Sequence, residues 1–146
     1  GFQYYQGCRS PIDAEKEEKG YSLGWLQHKG RNKHHWEYWL DDNENGVFIP
    51  IKMPYKYVIE SFCDMVGASK AYAQKKWEPQ MVLDYWRTKC AGKRIMNKDS
   101  EYLLQHLIEH LAKVGEKQFI IDYKKDKKKI EKDYNLGNLT LNKENV

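Results

Sequence analysis

The chain has 146 residues, of which 40% are hydrophobic and 32% are charged, and its formal net charge is +4. This size and composition are typical of one soluble globular domain, and no apolar run approaches the roughly 20 residues of a membrane helix. The three cysteines, Cys8, Cys63 and Cys90, form no CxxC pair, which argues against a disulfide framework and favours a cytoplasmic protein. The modest positive charge permits an anionic partner without requiring nucleic acid, and the oligomeric state stays open.

The first predicted element is a helix that begins in the segment SPID at residues 10–13. Ser10 is typical of an N-cap, and Pro11 suits the first helical position because its missing N–H has no intrahelical partner there. We expect this helix to extend to about His28 and to loosen or end at Gly30.

Residues 30–39, GRNKHHWEYW, concentrate histidines among large aromatic side chains. His34 and His35 are adjacent, and His28, one helical turn before Asn32, extends the cluster. Imidazole is a common ligand of transition metals, so the segment is a candidate metal site. The alternative is that these histidines only pack and form hydrogen bonds.

A short hairpin or an ordered loop is predicted after the histidines. Asn45-Gly46 is a turn signal, and it lies between two apolar runs, 38–40 and 47–49. Pro50 should end the second arm, because proline has no N–H for the strand ladder.

Pro54 opens a helix whose apolar residues cover most of its circumference, and we expect this helix to be largely buried. Glu60 and Asp64 lie one turn apart on its remaining strip. Two buried carboxylates need partners, and histidines or a metal ion would supply them. The alternative is a strip that faces solvent and pairs with lysines.

Two further helices are predicted downstream. One begins at Glu78-Pro79 and runs to about Gly92, and a basic loop follows to Lys98. The next is capped by Asp99 or Ser100 and ends at Gly115. Its apolar stripe should form the core: Leu103, Leu104, Leu107, Ile108, Leu111 and Val114.

The last third of the chain gives weaker signals. Residues 119–123 are apolar and fit either a last helix turn or a short strand, and the lysine-rich residues 124–132 fit a solvated helix end. Residues 135–146 are predicted to be a polar tail, so the helical domain spans residues 1–134.

The candidate site combines His28, His34, His35, Glu60 and Asp64. Imidazoles and carboxylates together suit a divalent ion such as zinc, manganese or iron, which can bind phosphate oxygens and acidify a water for hydrolysis. A rival pattern, H-x-x-E-H, occurs at His106, Glu109 and His110. Little chain follows it to supply a third ligand, so we expect the rival to be inert.

The string HHWEYW, followed by a helix with IESFCDM, resembles a poorly characterised bacterial and phage family with the pattern N-x-HH-x-EYW. The resemblance covers residues 2–72, and that family is similar to the all-α HD-domain metal-dependent phosphohydrolases. It implies that His28, His34, His35 and Asp64 are the metal ligands. The His-Asp doublet of HD enzymes occurs nowhere in this sequence. The chain is therefore expected to be either a fragment that lacks upstream helices or a degenerate member.

The sequence thus predicts an all-α, HD-like helical domain with a small hairpin insert. Its expected function is metal-dependent hydrolysis of a small phosphorylated substrate, with a nucleotide as one candidate. Glu60 would transfer a proton or accept a hydrogen bond from a ligating histidine. One alternative is a non-catalytic binding domain that keeps an aromatic and histidine pocket. Another is a nucleic-acid-binding accessory protein that uses Lys89, Lys93, Arg94 and the lysines near the C-terminus.

Overall fold

The structure is a computed structural model, and it describes residues 32–42 and 45–139. These residues form four α-helices and one two-stranded sheet, which confirms the all-α class. None of the described helices is long and apolar enough to cross a membrane. The helix predicted over residues 10–28 lies outside the described residues.

The described elements are a 3-10 turn at Trp36–Trp39, β1 at Leu40–Asp42, β2 at Phe48–Pro50, α1 at Tyr55–Ala73, α2 at Gln80–Tyr85, α3 at Lys98–Val114 and α4 at Glu116–Asn135.

Helix α3 lies at the centre of the fold and contacts α1, α2 and α4. Five of the six residues of its predicted stripe are buried, namely Leu103, Leu104, Leu107, Ile108 and Leu111, whereas Val114 at its end is only partly buried. Gly115 ends the helix with a φ of 85°, a left-handed conformation that glycine adopts at little cost. The chain then turns directly into α4, which packs back on α3.

The start of α3 differs from the prediction. Neither Asp99 nor Ser100 is the N-cap; the side chain of Asn97 accepts hydrogen bonds from the backbone N–H groups of both residues. Asparagine is as good a cap as aspartate or serine, so residue preference alone does not choose among positions 97, 99 and 100. Asp99 is instead paired with Lys52, whose Nζ lies 3.3 Å from its Oδ2.

Ser100 and Tyr134 form a buried polar node that joins three parts of the chain. The Ser100 hydroxyl lies 2.7 Å from the Tyr134 hydroxyl and accepts the backbone N–H of Met53 at 3.0 Å. The Tyr134 hydroxyl also donates to the Met53 carbonyl at 2.5 Å. These bonds connect the start of α3, the end of α4 and the segment before α1. Every polar atom of the node has a partner, as burial requires.

The predicted hairpin is present. β1 and β2 pair antiparallel, with Leu40 opposite Pro50 and Asp42 opposite Phe48. Gly46 has a φ of 75°, which explains the glycine in the turn. β2 ends at Pro50, as expected from the missing N–H.

Helix α1 is less buried than predicted. Of its 19 residues, only Val58, Ser61 and Phe62 are fully buried. The prediction was wrong because it counted several tyrosines and other apolar residues as buried. These residues lie at the edge of the buried side of α1, where aromatic rings keep contact with water. The carboxylate strip of Glu60 and Asp64 is therefore exposed.

The helix predicted from Glu78 to Gly92 exists but changes type. α2 ends at Tyr85, and residues Trp86–Cys90 continue as a π-helix. Its closing bond runs from the Ala91 N–H to the Trp86 carbonyl at 2.7 Å. Trp86, the first residue of this π-helix, is buried and donates its indole N–H to Gln105 of α3 at 3.1 Å.

Helix α4 replaces the two short elements predicted for residues 119–132. It runs unbroken through Asn135, so the short-strand alternative for residues 119–123 is wrong. The tail predicted from residue 135 begins with the end of this helix, and Leu139 packs against the core. The helix continues through the lysine-rich stretch because Ile130 and Tyr134 anchor its far end on the same side as Phe119.

The buried phenol of Tyr134 leads us to predict that the folded state loses stability at alkaline pH. Burial raises the pKa of its phenol from 10.0 to about 12. The folded state therefore keeps the proton between pH 10 and 12 while the unfolded state releases it, so this contribution to stability is complete below pH 10 and is lost as the pH rises to 12. The loss is up to about 3 kcal/mol.

Urea denaturation at a series of pH values across that window measures this loss. We expect Tyr134→Phe to flatten the dependence on pH relative to the unmodified chain. Tyr72→Phe is the matched control, because Tyr72 is exposed, and it should leave the dependence unchanged. Equal slopes for Tyr134→Phe and the unmodified chain would show that the buried phenol does not hold its proton.

Candidate metal centre

The two adjacent histidines lie in a tight turn just before the hairpin. The His35 N–H donates to the Asn32 carbonyl at 3.2 Å, and the Tyr38 N–H donates to the His35 carbonyl at 3.1 Å. His35 itself has an extended backbone, with φ −88° and ψ 135°, and the 3-10 turn follows it. This change of conformation brings the His34 and His35 rings to the same side, with their centroids 4.7 Å apart.

Trp39 holds this turn in place. Its indole N–H donates to the Lys33 carbonyl at 2.6 Å, and its ring lies 5.8 Å from the Tyr57 ring on α1. Its own carbonyl accepts the Ile51 N–H at 2.8 Å, just beyond β2. One side chain and its backbone therefore connect the histidine turn, the hairpin and α1.

The turn places the histidines over the carboxylate strip of α1. His34, His35 and Asp64 each offer a ligand atom, and these atoms all lie within 4.8 Å of one another. His34 lies between two carboxylates, because its Nε2 is 3.7 Å from Asp64 Oδ2 and its Nδ1 is 4.0 Å from Glu60 Oε2. Helix spacing explains the pair, since residues four apart project from the same side of α1.

Exposure differs sharply across this group. The His34 side chain is only 19% exposed, whereas Glu60 and Asp64 are 55% and 51% exposed. The two carboxylates were expected to be buried and to need partners for that reason, and that premise is wrong. Their juxtaposition with His34 comes from the position of the turn, and the strip remains open to solvent and to small molecules.

Glu37 adds a partly enclosed carboxylate in the same turn. Its Oε2 is buried and makes no hydrogen bond with a described residue. An enclosed carboxylate oxygen without a donor costs free energy, and a nearby cation or donor would lower that cost. His28, the remaining predicted ligand, lies outside the described residues.

The rival His106 and His110 pair lies on α3, and His110 faces α4. His110 Nε2 is 2.7 Å from Asp122 Oδ2, and the His106 ring stacks on that of His110 with a centroid distance of 6.4 Å. Burial and the neighbouring His110 lower the pKa of His106. Hydrogen bonds from Gln118 and His110 lower the pKa of Asp122. The pair thus has a packing role between two helices, and its predicted lack of activity stays a prediction.

Among the described residues, His34, His35 and Asp64 are the group of histidine, cysteine or acidic side chains close enough to hold a metal ion. The sequence reasoning missed the residue that assembles this group, Trp39. In the sequence, Trp39 belongs to the apolar run 38–40 before the hairpin, and its bond to the Lys33 carbonyl depends on a turn that the sequence does not display. Asp122 was also missed, because only the packing of α4 on α3 brings it to His110.

Comparison with protein-family models identifies a family for this chain. The model of a family of unknown function, DUF5662, matches residues 2–110, well over half of the chain. The matched part contains the histidine turn, the hairpin and helices α1 and α2, and it ends within α3. No curated protein and no solved structure matches the chain.

The role of Trp39 can be tested by removing its donor alone. Trp39→Phe keeps an aromatic ring beside Tyr57 but loses the bond to the Lys33 carbonyl. We expect the histidine turn to open more often, so that the Tyr38 amide exchanges its hydrogen about tenfold faster. Amide hydrogen exchange followed by NMR measures this rate.

Trp77→Phe is the matched control, since Trp77 donates to Ser69 at 3.0 Å and lies far from the turn in sequence. It should leave the Tyr38 amide unaffected, and the amides of α3 should be unchanged in both variants. An unaltered Tyr38 exchange rate in Trp39→Phe would show that the turn holds without the indole bond.

Proposed function

Because the chain belongs to DUF5662, a family of unknown function, its activity has to be argued from the site, and we propose that His34, His35 and Asp64 bind a divalent metal ion. The observation that carries the proposal is the approach of their three ligand atoms to within 4.8 Å of one another. The function that follows is metal-dependent hydrolysis of a small phosphorylated substrate, with a nucleotide as one candidate. The domain is then HD-like, as the resemblance in Asn32 to Trp39 suggests.

The residues present fit a metal ion in chemistry and in size. Two imidazole nitrogens and one carboxylate oxygen suit zinc, manganese or iron(II). When each ligand atom lies 2.0–2.1 Å from a tetrahedral ion, two ligand atoms lie about 3.4 Å from each other. His34 Nε2 and Asp64 Oδ2 are already 3.7 Å apart. Small rotations of exposed Asp64 and of His35 would close the remaining gap.

Glu60 supports this assignment from the other side of His34. With Nε2 directed toward Asp64, the Nδ1 of His34 faces Glu60. A carboxylate on the far nitrogen of a ligating histidine fixes the tautomer and raises the basicity of the ligand. At 4.0 Å the Glu60 carboxylate lies beyond hydrogen-bond distance of Nδ1, so we propose that it rotates into contact when the ion binds and then acts as a positioning residue. Its exposed carboxylate also has room to accept a proton from an attacking water.

The bound metal would supply the electrophile, because such an ion polarises a phosphoryl oxygen and acidifies its water. The chain supplies three or four ligands, counting His28, and no His-Asp doublet. His34 and His35 come from one short segment, so the protein approaches the ion from a limited part of its coordination sphere. We therefore propose that the metal is held weakly and that hydrolysis by this chain is slow.

Isothermal titration with zinc, manganese and iron(II) tests the site. We expect one ion per chain with a Kd weaker than about 1 μM. His35→Ala and Asp64→Asn should each weaken binding at least about tenfold, as the loss of a ligand does. His106→Ala is the matched control, because it removes an imidazole from the rival pair, and it should leave the affinity unchanged.

A generic phosphodiester assay on the same chain tests the reaction. Submicromolar metal affinity together with multiple-turnover hydrolysis would contradict the proposed weakness and would mean that other residues replace the missing doublet. Loss of binding in His106→Ala, with normal binding in His35→Ala, would move the metal site to α3.

A further inference from the structure

Helix α4 presents a continuous basic surface to solvent. At 100° per residue, five lysines fall within an arc of about 100° on the side of the helix away from the core. All five are exposed, and together they are called the lysine face: Lys117, Lys124, Lys125, Lys128 and Lys132. The opposite side of the helix packs inward through Phe119, Tyr123 and Tyr134.

The acids of α4 neutralise its lysines only in part. The whole helix, Glu116–Asn135, contains seven lysines and five acids, which leaves a net charge of +2. Of these acids, Glu116 pairs with Lys70 of α1, and Asp122 bonds to His110 of α3 and interacts electrostatically with Lys125 of its own helix. None of the five lysines forms an ion pair with a residue in the described ranges.

The dimensions of the face suit a phosphodiester backbone. Lys117 and Lys132 are separated by about 22 Å along the helix axis, and Lys124, Lys128 and Lys132 follow one another at about 6 Å intervals. Duplex nucleic acid carries one negative charge per about 1.7 Å of its axis, so several phosphates lie opposite such a row. Lysine is a flexible point charge, which matches phosphates without requiring a fixed register.

The composition of the face favours a duplex backbone over single strands or base readout. α4 contains no arginine for bidentate contacts to bases, and the lysine face carries no aromatic ring on which an unpaired base can stack. A membrane surface fits less well, because the apolar side of α4 is already buried in the core. The large apolar side chain within the lysine face is Ile121, which is 54% exposed.

We infer that the lysine face of α4 is a docking surface for the phosphate backbone of duplex nucleic acid, without sequence preference. It is separate from the metal centre. Phe62 of α1 faces Phe119 of α4 with a ring distance of 5.2 Å, and Asp64 projects about 160° away from Phe62 around α1. The face also lies beyond residue 110, where the family match ends. Failure of either proposal therefore leaves the other intact.

Fluorescence anisotropy with a labelled mixed-sequence DNA duplex of about 20 base pairs tests this surface across a series of salt concentrations. The variant Lys124→Gln/Lys128→Gln/Lys132→Gln removes three charges from the face. We expect its affinity at physiological ionic strength to fall at least about tenfold. The slope of log K against log salt should become shallower by about 2.7, or 0.9 for each lost phosphate contact.

Two matched variants test whether a loss of affinity comes from the lysine face itself, from the lower net charge or from a change in folding. Lys56→Gln/Lys75→Gln/Lys76→Gln removes the same charge from exposed positions on α1 and the turn after it, and should keep the slope. Lys124→Arg/Lys128→Arg/Lys132→Arg keeps the charge and should keep the affinity. The circular dichroism of all three variants should match that of the unmodified chain.

Three outcomes would overturn the inference. The first is equal loss of affinity in the two glutamine variants, which would assign binding to net charge. The second is no binding to the duplex even at low salt. The third is binding to vesicles containing phosphatidylserine, lost in the Lys124/Lys128/Lys132 glutamine variant, with no binding to the duplex, which would assign the face to a membrane surface.

Discussion

The indole of Trp39 is the contact on which the candidate site depends. Its N–H bonds to the Lys33 carbonyl, and its ring lies against Tyr57 of α1. Without this contact the histidines would belong to a surface turn with no fixed relation to Asp64. With it, an irregular segment that has few backbone bonds of its own is fixed against a rigid helix. A binding site needs its ligands held by packed neighbours, and Trp39 provides that support.

Helix α1 serves both the core and the site. Val58 and Phe62 fix the helix against the core, and the same helix carries Glu60 and Asp64 outward, half exposed. The exposure explains why a proposed ion would be accessible to a phosphorylated substrate and also weakly held. Glu60 and Asp64 lie on a different side of the molecule from the lysine face of α4, for which we infer a different kind of partner.

Elements with a strong period could be predicted from the sequence, and contacts between elements could not. The leucine stripe and Gly115 defined α3, and Asn45-Gly46 with Pro50 defined the hairpin, because these signals are local. The burial of α1 was overestimated because tyrosines count as apolar in a pattern yet lie at half-exposed positions. The length of α4 was missed because Tyr134 anchors it through Ser100 and Met53, which are distant in sequence. At the site, residue types pointed to His34, His35 and Asp64, whereas the role of Trp39 required the fold.

X-ray absorption spectroscopy of the zinc-loaded chain tests the proposed metal centre most directly, because it identifies the atoms bound to the ion. The account predicts a first shell with two imidazole nitrogens and one carboxylate oxygen at about 2.0–2.2 Å, completed by water. The imidazole signal should be reduced in His35→Ala and retained in His106→Ala. A shell of water oxygens alone, or one containing a cysteine sulfur, would contradict the assignment of His34, His35 and Asp64.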